Sequence, residues 1–504
     1  MSTTAEFTVF ERSIAELHEA IRSGAATARA IAQASLDRIE AFDRKGPALW
    51  SIICTNPSAL EDAEALDQHF RQTGRFKGPL HGIPVLVKDN YDVAGMQTTG
   101  GSAALLGWTP ATDSAAVARM RAAGAVILAK STMSEWARGG LDNVNSVLPA
   151  FARNPYNTAH ATGGSSGGTG SGLASSFAVV GLGSDTWGSI RNPSANNALA
   201  GLRPSWGLVS RAGMIGLYDA RDTAGPMARS VTDLAVLLDV IAGADENDPA
   251  TREAAGRPTT TFTEHLDPHG IAGKSFGVLR QAVPAHASDP EVVALFDAAI
   301  ARIRELGGRV VDPFVIPQFD EFPPRLHPDS EMRAAIEKYL RTTGPGYPRT
   351  LAEVVASGKF HPVHEVGLRA LAVAPSPSED PKVRQLESDE VRMRATYEAA
   401  MATASVEFIL APVATFPPKL NGDRNLTPTG STTWMASGLH WPAIAVPMGF
   451  CSENLPTSLQ IIGRPWSEAG LIEAAFAFEQ ATRHRRPPAT IRCPHHRCTC
   501  IGVR

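Results

Sequence analysis

The run from Gly163 to Arg191, GGSSGGTGSGLASSFAVVGLGSDTWGSIR, constrains this chain more than any other segment. A glycine-rich loop with Ser165 and Ser166 leads into a helix-like segment and a strand, and Ser189 follows in a second turn of small residues. Glycines permit positive φ angles that side chains would obstruct. They also leave backbone N–H groups free to face an anion. The run therefore predicts two tight turns, each presenting a serine.

A lone lysine, Lys88, ends the apolar run GIPVLVKD, which is typical of a buried strand. A serine hydroxyl is a weak nucleophile near neutral pH and needs a base within hydrogen-bond reach. Lysine is such a base only when neutral, and burial lowers its pKa from about 10.4 towards that state. A solvated strand end is the alternative for Lys88 taken alone. Together with the serine loops, the pattern favours a serine activated by lysine without histidine.

Two other kinds of site share parts of this pattern. A phosphate-binding P-loop needs Lys and then Ser or Thr after its second glycine, whereas Thr169 and Gly170 follow here. Gly163, Ser165 and Gly167 also satisfy G-x-S-x-G, the nucleophile elbow of α/β-hydrolases. That elbow directly follows a strand, but the preceding ARNPYNTAHAT is polar and loop-like. Both alternatives are therefore disfavoured.

Helical periodicity alternates with short apolar runs along most of the chain, which favours an α/β fold. We expect a mixed, mostly parallel central sheet covered by helices on both faces. Residues 1–75 are predicted to be a helical segment packed on the core, and residues 76–488 the catalytic domain. Residues 489–504 form a basic tail that contains Cys and His and that we expect to be disordered.

Charge and hydropathy exclude several classes of function. With 47 basic and 51 acidic residues, the net charge of -4 provides no attraction for nucleic acid or an anionic membrane. No run approaches the ~20 apolar residues of a membrane helix. The start, MSTTAEFTVFERSIAEL, lacks an apolar stretch behind basic residues, so we expect no secretory signal and a cytoplasmic location.

Five cysteines in 504 residues argue against a disulfide framework. Three of them, Cys493, Cys498 and Cys500, lie in the tail with His495 and His496. A metal clip is one interpretation of this cluster. A tail of accidental composition is favoured, because no second ligand pair lies at a finger-like distance. We therefore expect no metal site.

Around the two serines the chain resembles the amidase signature family. The hallmarks of that family are GGSSGG, a later D-x-x-G-S-I-R turn, and an upstream lysine in G-I-P-x-x-x-K-D, and all three occur here in order. GLRPSWGLVSRAG, DTAGPMARSVTDLA and LPTSLQIIGRPWSEAGLIEAAFAFEQAT match as well. The resemblance covers residues 10–488 and implies the amidase signature fold, with no metal or organic cofactor.

The resemblance also implies roles for individual residues. Ser189 would be the acylated nucleophile, Ser165 a bridging serine after a cis peptide from Gly164, and Lys88 the base. Other positions would form the oxyanion hole through their backbone N–H groups: Thr186, Trp187, Gly188 and Ser189. Further residues would support the site: Asp185 and Arg191 by fixing the turn, Ser166 within its loop, and Ser134, for which a helix N-cap is the alternative.

The predicted activity is hydrolysis of a C–N acyl bond in a small molecule, with esters and carbamates as further substrates, by a monomer or homodimer. One alternative is the catalytic A chain of a glutamine-dependent amidotransferase. Another is an inactive binding protein, which the intact Lys88, Ser165 and Ser189 disfavour. Many family members have glycine where Trp187 stands, so we expect a negative φ there. Its indole either narrows the acyl pocket or packs away from it.

Overall fold

A mixed sheet of eleven strands forms the centre of the described part of the molecule, in the order β1-β3-β2-β4-β6-β5-β10-β11-β9-β7-β8. The structure is a computed structural model that describes residues 7–138, 144–257, 260–322, 328–423 and 431–491. The strands are β1 Ile52–Thr55, β2 Pro84–Lys88, β3 Val126–Ser131, β4 Val180–Asp185, β5 Ala200–Arg203, β6 Thr223–Ala228, β7 Ser275–Val278, β8 Arg309–Val311, β9 Phe408–Pro412, β10 Ala443–Cys451 and β11 Leu455–Gly463.

Helices cover the sheet and also form a separate group late in the chain. They are α1 Ile14–Arg22, α2 Ala28–Ile39, α3 Ala59–Thr73, α4 Ala115–Ala122, α5 Gly167–Ala174, α6 Arg191–Asn196, α7 Val231–Ile241, α8 Arg252–Ala255, α9 Pro290–Glu305, α10 Asp329–Leu340, α11 Leu351–Ser357, α12 Glu365–Ala372, α13 Pro381–Thr403, α14 Trp434–Leu439 and α15 Glu468–Thr482. The predicted strands at GIPVLVKD and FAVVGLGSD correspond to β2 and β4.

The prediction of a mixed sheet is confirmed, but most of its strand pairs are not parallel. Within the described ranges, β2 pairs in parallel with β3 and β4, and β7 with β8 and β9. The other six pairs are antiparallel. Parallel neighbours need a crossover of a dozen or more residues, whereas β10 and β11 are joined by the short turn Ser452–Asn454. The parallel strands β2, β3 and β4 are the part that bears the candidate site.

Alternation along β2 places its last residue on a defined face of the sheet. Val85 and Val87 belong to the larger hydrophobic cluster on one face, and Leu86 belongs to the cluster on the other. Because successive side chains of a strand point to opposite faces, Lys88 projects on the face of Leu86. Helix α5 packs on β2 and β4. Lys88 is thereby enclosed between the sheet and the chain around α5.

The ends of the chain bear on the expected domain boundaries. Residues 1–75, expected to be helical, also contribute strand β1, which pairs with β3 at one end of the strand order. Helix α1 buries Ile14, Leu17 and Ile21 in the same cluster as Val85. Most of the predicted tail, 492–504, lies outside the described residues. None of the helices in the described ranges combines the length and apolar composition that crossing a membrane requires.

Candidate active site

The candidate site lies where the carboxyl ends of strands β2 and β4 meet. Lys88 is the last residue of β2 and Asp185 the last of β4, and these strands pair in parallel. Ser165 lies in the loop before α5, and Ser189 lies in the turn between β4 and α6. Open α/β sheets bind ligands in the crevice outside such strand ends. The sheet therefore brings together residues that lie up to 101 positions apart in sequence.

Lys88 is fully buried and surrounded by hydroxyl and carbonyl oxygens. Its Nζ lies 2.8 Å from Ser165 Oγ and 2.8 Å from Ser184 Oγ, and the Ser184 carbonyl oxygen is at 3.4 Å. Within the described ranges Lys88 forms no salt bridge, and the Asp185 carboxylate pairs with Arg191 instead. A neutral amine here keeps two N–H donors for Ser184 and accepts the Ser165 hydroxyl proton.

Burial lowers the pKa of Lys88 to about 7, although the carboxylates of Asp185 and Asp222 act in the opposite direction. Desolvation disfavours the ammonium form, and no adjacent carboxylate compensates for it. Near neutral pH a large fraction of the amine is therefore unprotonated. The hydrogen bond from Ser165 then provides a path for a proton onto Lys88.

Backbone contacts hold the two serine loops against each other. The Gly164–Ser165 peptide bond is cis. The Ser165 carbonyl accepts the Ser134 amide at 3.2 Å, and the Ser189 carbonyl accepts the Ser166 amide at 3.2 Å. The Ser166 hydroxyl also donates to the Ser184 carbonyl at 3.3 Å. Ser134 precedes a short 3₁₀ turn without capping it through its side chain, and its amide contact to Ser165 links it to the site.

The three central residues differ in their access to solvent. Lys88 and Ser165 are 0% exposed, whereas Ser189 retains 7%. Within the described part of the chain the Ser189 hydroxyl has no hydrogen-bond partner, and no hydrogen bond joins it to Ser165. Catalytic hydrogen bonds are often long or misaligned before substrate binds. Of the three, Ser189 is the residue that an incoming molecule reaches first.

Hydrogen bonds to the Asp185 carboxylate stabilise the turn that presents Ser189. This carboxylate accepts the Gly188 amide at 2.7 Å and the Ile190 amide at 3.2 Å. It also receives two hydrogen bonds from Arg191, both of 3.0 Å. The predicted contact between Asp185 and Arg191 is therefore present. The Gly188 amide, one of four predicted oxyanion donors, is committed to Asp185 and does not face an incoming oxygen.

Asp185 is held in its charged form by two buried guanidinium groups. Burial alone would raise its pKa, but Arg191 and Arg203 outweigh burial and hold the pKa of Asp185 well below its usual range. Arg203 Nη1 also donates to the Asp185 carbonyl at 2.5 Å. The turn is therefore fixed by a buried network of charge-assisted hydrogen bonds, which are stronger than neutral ones.

The glycines of the two loops meet different backbone and packing requirements. Gly188 has φ +111°, and a Cβ there would lie 2.1 Å from Thr433 Oγ1. Gly163 has φ +70°. Gly164, Gly167 and Gly168 do not have a positive φ, and the last two begin helix α5. A Cβ on Gly168 would lie 2.4 Å from the backbone nitrogen of Thr132, so the absence of a side chain there allows the helix to approach the chain that follows β3.

Trp187 lies in the turn with its ring against a buried arginine. As expected, its φ is not positive. Its carbonyl accepts the Thr433 hydroxyl at 2.8 Å, and the Arg221 Cζ lies 4.5 Å from the ring centroid. The side chain is half-buried and lines a small cavity together with Phe322 and Trp434. The indole is therefore one wall of a cavity beside the turn that carries Ser189.

Several residues of the site were not predicted from the sequence. Ser184 Oγ accepts hydrogen bonds from Lys88 and, at 3.1 Å, from Asn90. Asn90 Nδ2 also donates to the Ile215 carbonyl at 3.2 Å, which anchors it. Ser184 lies in the predicted strand FAVVGLGSD, one residue before Asp185, and no separate role was predicted for it. The polar GSD end of an otherwise apolar strand is the signal that could have identified it.

The chain is similar to known proteins over most of its length. The profile of the family described as Amidase matches residues 30–472. The A chain of the glutamyl-tRNA(Gln) amidotransferase of Moorella thermoacetica is 34% identical over 492 residues, which is 90% of this chain and 93% of that protein.

Two solved structures extend the comparison to the fold. The peptide amidase of Stenotrophomonas maltophilia superposes with a TM-score of 0.85 and 36% identity, covering 95% of this chain and 98% of that one. The A chain of the glutamyl-tRNA(Gln) amidotransferase of Thermotoga maritima superposes with a TM-score of 0.74 and 25% identity, covering 94% of this chain and 95% of that one. Both similarities extend over nearly the whole chain.

Proposed function

Because this chain belongs to the amidase family, we propose that it hydrolyses a C–N acyl bond through an acyl-enzyme on Ser189, with Ser165 relaying protons to Lys88. The proposed substrate is a small-molecule amide. Esters and carbamates are further candidates, because they undergo the same attack at a carbonyl carbon. The chemistry uses no metal or organic cofactor.

The observation that carries this proposal is the 2.8 Å contact between Lys88 Nζ and Ser165 Oγ. A buried lysine beside a hydroxyl, without a carboxylate to hold its proton, has the properties of a general base. Its pKa of about 7 places proton transfer in the physiological range. The greater exposure of Ser189 supports its assignment as the nucleophile and leaves the fully buried Ser165 as the relay.

In the acylation step, Ser189 Oγ attacks the carbonyl carbon as its proton passes to Ser165 and the Ser165 proton passes to Lys88. The bond from Oγ to carbon forms and the carbonyl oxygen becomes an oxyanion. When the C–N bond breaks, the proton returns from Lys88 through Ser165 to the leaving amine. Water then attacks the acyl-enzyme along the same path, releasing the acid and restoring Ser189.

We place the oxyanion against backbone amides of the Ser189 turn. The amides of Thr186 and Ser189 donate to no acceptor within the described ranges, which supports their assignment. Trp187 is assigned on its position between them. Gly188 leaves the predicted set because its amide donates to Asp185. One oxyanion donor is typically worth ~2.7–4 kcal/mol of transition-state stabilisation.

A fluorophosphonate probe, which labels activated serines, tests the nucleophile. We expect the wild-type enzyme and Ser166→Ala to be labelled and Ser189→Ala to remain unlabelled. Ser166 is a matched control because it lies in the neighbouring loop and its hydroxyl contacts backbone. Labelling of Ser189→Ala would contradict the assignment.

Trp187 is proposed to restrict the shape of the acyl group. A bulky indole two residues before the nucleophile narrows the space on that side, where many family members have glycine. Trp187→Gly is expected to change the order of rates on acyl groups of increasing width. An unchanged order would show that the indole takes no part in selection.

The second candidate is the catalytic A chain of a glutamine-dependent amidotransferase, favoured by the Moorella and Thermotoga relatives of that name. Such a chain would release ammonia from glutamine for its partner proteins. Assays of the purified protein on glutamine and on aryl amides separate the two candidates. Hydrolysis of aryl amides by the purified protein without partner proteins supports the amidase. Activity on glutamine but not on aryl amides supports the amidotransferase.

A further inference from the structure

A buried arginine beside the nucleophile turn has two unused hydrogen-bond donors. Arg221 is 1% exposed, and its Nη2 donates to Glu390 of helix α13. Its Nε and Nη1 have no hydrogen-bond partner in the described part of the chain. Buried donors almost always have partners, since leaving one unsatisfied is costly. These two donors therefore call for a function beyond packing.

Several contacts join Arg221 and the next residue to the turn that presents Ser189 and to its supporting arginine. Its guanidinium lies over the Trp187 ring at 4.5 Å. The next residue, Asp222, accepts a hydrogen bond from the Thr186 hydroxyl, and the Arg221 carbonyl accepts Arg203 Nη2 at 2.9 Å. Trp187 is two residues from Ser189, so the guanidinium packs on the turn that presents the proposed nucleophile.

The adjoining cavity limits what these donors can bind. It is lined by Trp187 and Arg221 and measures about 30 Å³, enough for one water-sized group. Glu321, Asp389 and Glu390 also line it. Arg392 pairs with Glu321 and Asp389, and Arg221 pairs with Glu390, so each of these carboxylates already has a cationic partner. A substrate carboxylate would be buried here without a counter-ion of its own, which is costly. An uncharged acceptor avoids that cost.

From these contacts we infer that Arg221 is a substrate-binding residue that donates from Nε or Nη1 to a second, uncharged carbonyl oxygen of the substrate. The inference rests on the proposed function and narrows it to amides that carry another carbonyl group near the scissile bond. Trp187 then acts as the surface that holds the guanidinium in place, in addition to narrowing the acyl pocket.

Three p-nitroanilides of similar length test this inference. N-acetylglycine p-nitroanilide carries a second neutral carbonyl, pentanoyl p-nitroanilide replaces it with methylene groups, and succinyl p-nitroanilide presents a carboxylate. We expect wild-type kcat/KM to be highest for the acetylglycine compound. Arg221→Met is expected to lower that preference over the pentanoyl compound by about 10- to 100-fold, the usual effect of a hydrogen bond from a charged donor.

Two further variants keep the result interpretable. Because Arg221→Met leaves Glu390 buried without its partner, the double variant Arg221→Met/Glu390→Met removes both charges and is expected to fold and to show the same loss of preference. Arg369→Met on α12, an exposed arginine paired with Glu365, is the matched control and should retain the wild-type preference.

The possible outcomes separate this inference from the proposed function. Equal losses on the acetylglycine and pentanoyl compounds would show a structural role for Arg221 and overturn the inference. A wild-type preference for the succinyl compound would overturn the choice of a neutral acceptor. Failure of the wild-type enzyme to hydrolyse any of the three, or retained hydrolysis in Ser189→Ala, would instead contradict the proposed function.

Discussion

Two lysines lie near the carboxyl ends of neighbouring parallel strands of this sheet, and both are fully buried. Lys88 ends β2, and Lys130 is the next-to-last residue of β3. Lys130 Nζ lies 3.1 Å from the Asp89 carboxylate and donates to the Tyr91 carbonyl at 2.8 Å and to Thr98 Oγ1 at 2.9 Å. Lys88 contacts hydroxyls and a carbonyl but no carboxylate within the described ranges. The two lysines are equally buried and differ in their counter-ion.

The sheet register explains this difference. Val87 pairs with Lys130, and Lys88 pairs with Ser131, so the two lysines project on opposite faces. Asp89 directly follows Lys88 in the chain but forms its ion pair with Lys130. A buried lysine with a carboxylate is an element of structure, whereas one without a carboxylate is available as a base. Adjacency in sequence therefore does not show which lysine is paired.

The largest expected effect is the loss of activity in Lys88→Met. Removing a general base typically costs 10²–10⁴-fold, so kcat/KM should fall by about that factor. Stability should be retained, because methionine fills a similar volume and no carboxylate loses its partner. Steady-state kinetics and thermal unfolding on the same preparations measure both. Activity within tenfold of the wild type would show that Lys88 is not the base.

For Lys130→Met we expect the opposite result, a loss of stability rather than the loss of a catalytic base. Removing one partner of a buried ion pair typically costs ~3–5 kcal/mol, because the other charge stays buried and unpaired. We therefore expect a marked decrease in the free energy of unfolding, measured in urea. The double variant Lys130→Met/Asp89→Asn should recover part of it. A Lys130→Met variant as stable as the wild type would show that a counter-ion is not what distinguishes the two lysines.

The pH dependence of kcat/KM distinguishes the two lysines without mutation. Lys88 acts as a base only when neutral, so activity should fall about tenfold per pH unit below its pKa of about 7 and level off above it. Measurement of kcat/KM against pH in D₂O and in H₂O, with a substrate that does not titrate, would locate this acidic limb of the profile. A rate that is independent of pH between about 5 and 8 would contradict the assignment.

The smallest expected effect concerns Ser184, which holds Lys88 in place. Ser184→Ala removes one hydrogen bond to the amine and should lower kcat/KM by about two- to tenfold. Because that bond favours the charged lysine, the acidic limb should move to lower pH. Ser166→Ala, which leaves the contacts of Lys88 intact, is the control. A limb that does not move would indicate that Ser184 has no influence on the base.

Much of the fold around the site could be predicted from local sequence. The strands at GIPVLVKD and FAVVGLGSD correspond to β2 and β4, and the helix after the glycine loop corresponds to α5. The strands β5 and β6 were not predicted. Strand β6, TAGPMA, contains Gly225 and Pro226, residues that are unfavourable inside a strand and that mask its pairing. Its pairing with β4 depends on contacts across 38 to 48 positions.

The turn that presents Ser189 follows from local sequence. Asp185 and Arg191 are six positions apart, and Gly188 meets a backbone angle that other residues rarely adopt, so these features are local. Only the tertiary structure decided which lysine lacks a counter-ion and which arginine stands beside Trp187. Those outcomes depend on strand register and on contacts such as Arg221 with Glu390, 169 positions away. Register and such long-range contacts are set by packing of the whole sheet, and no local pattern encodes them.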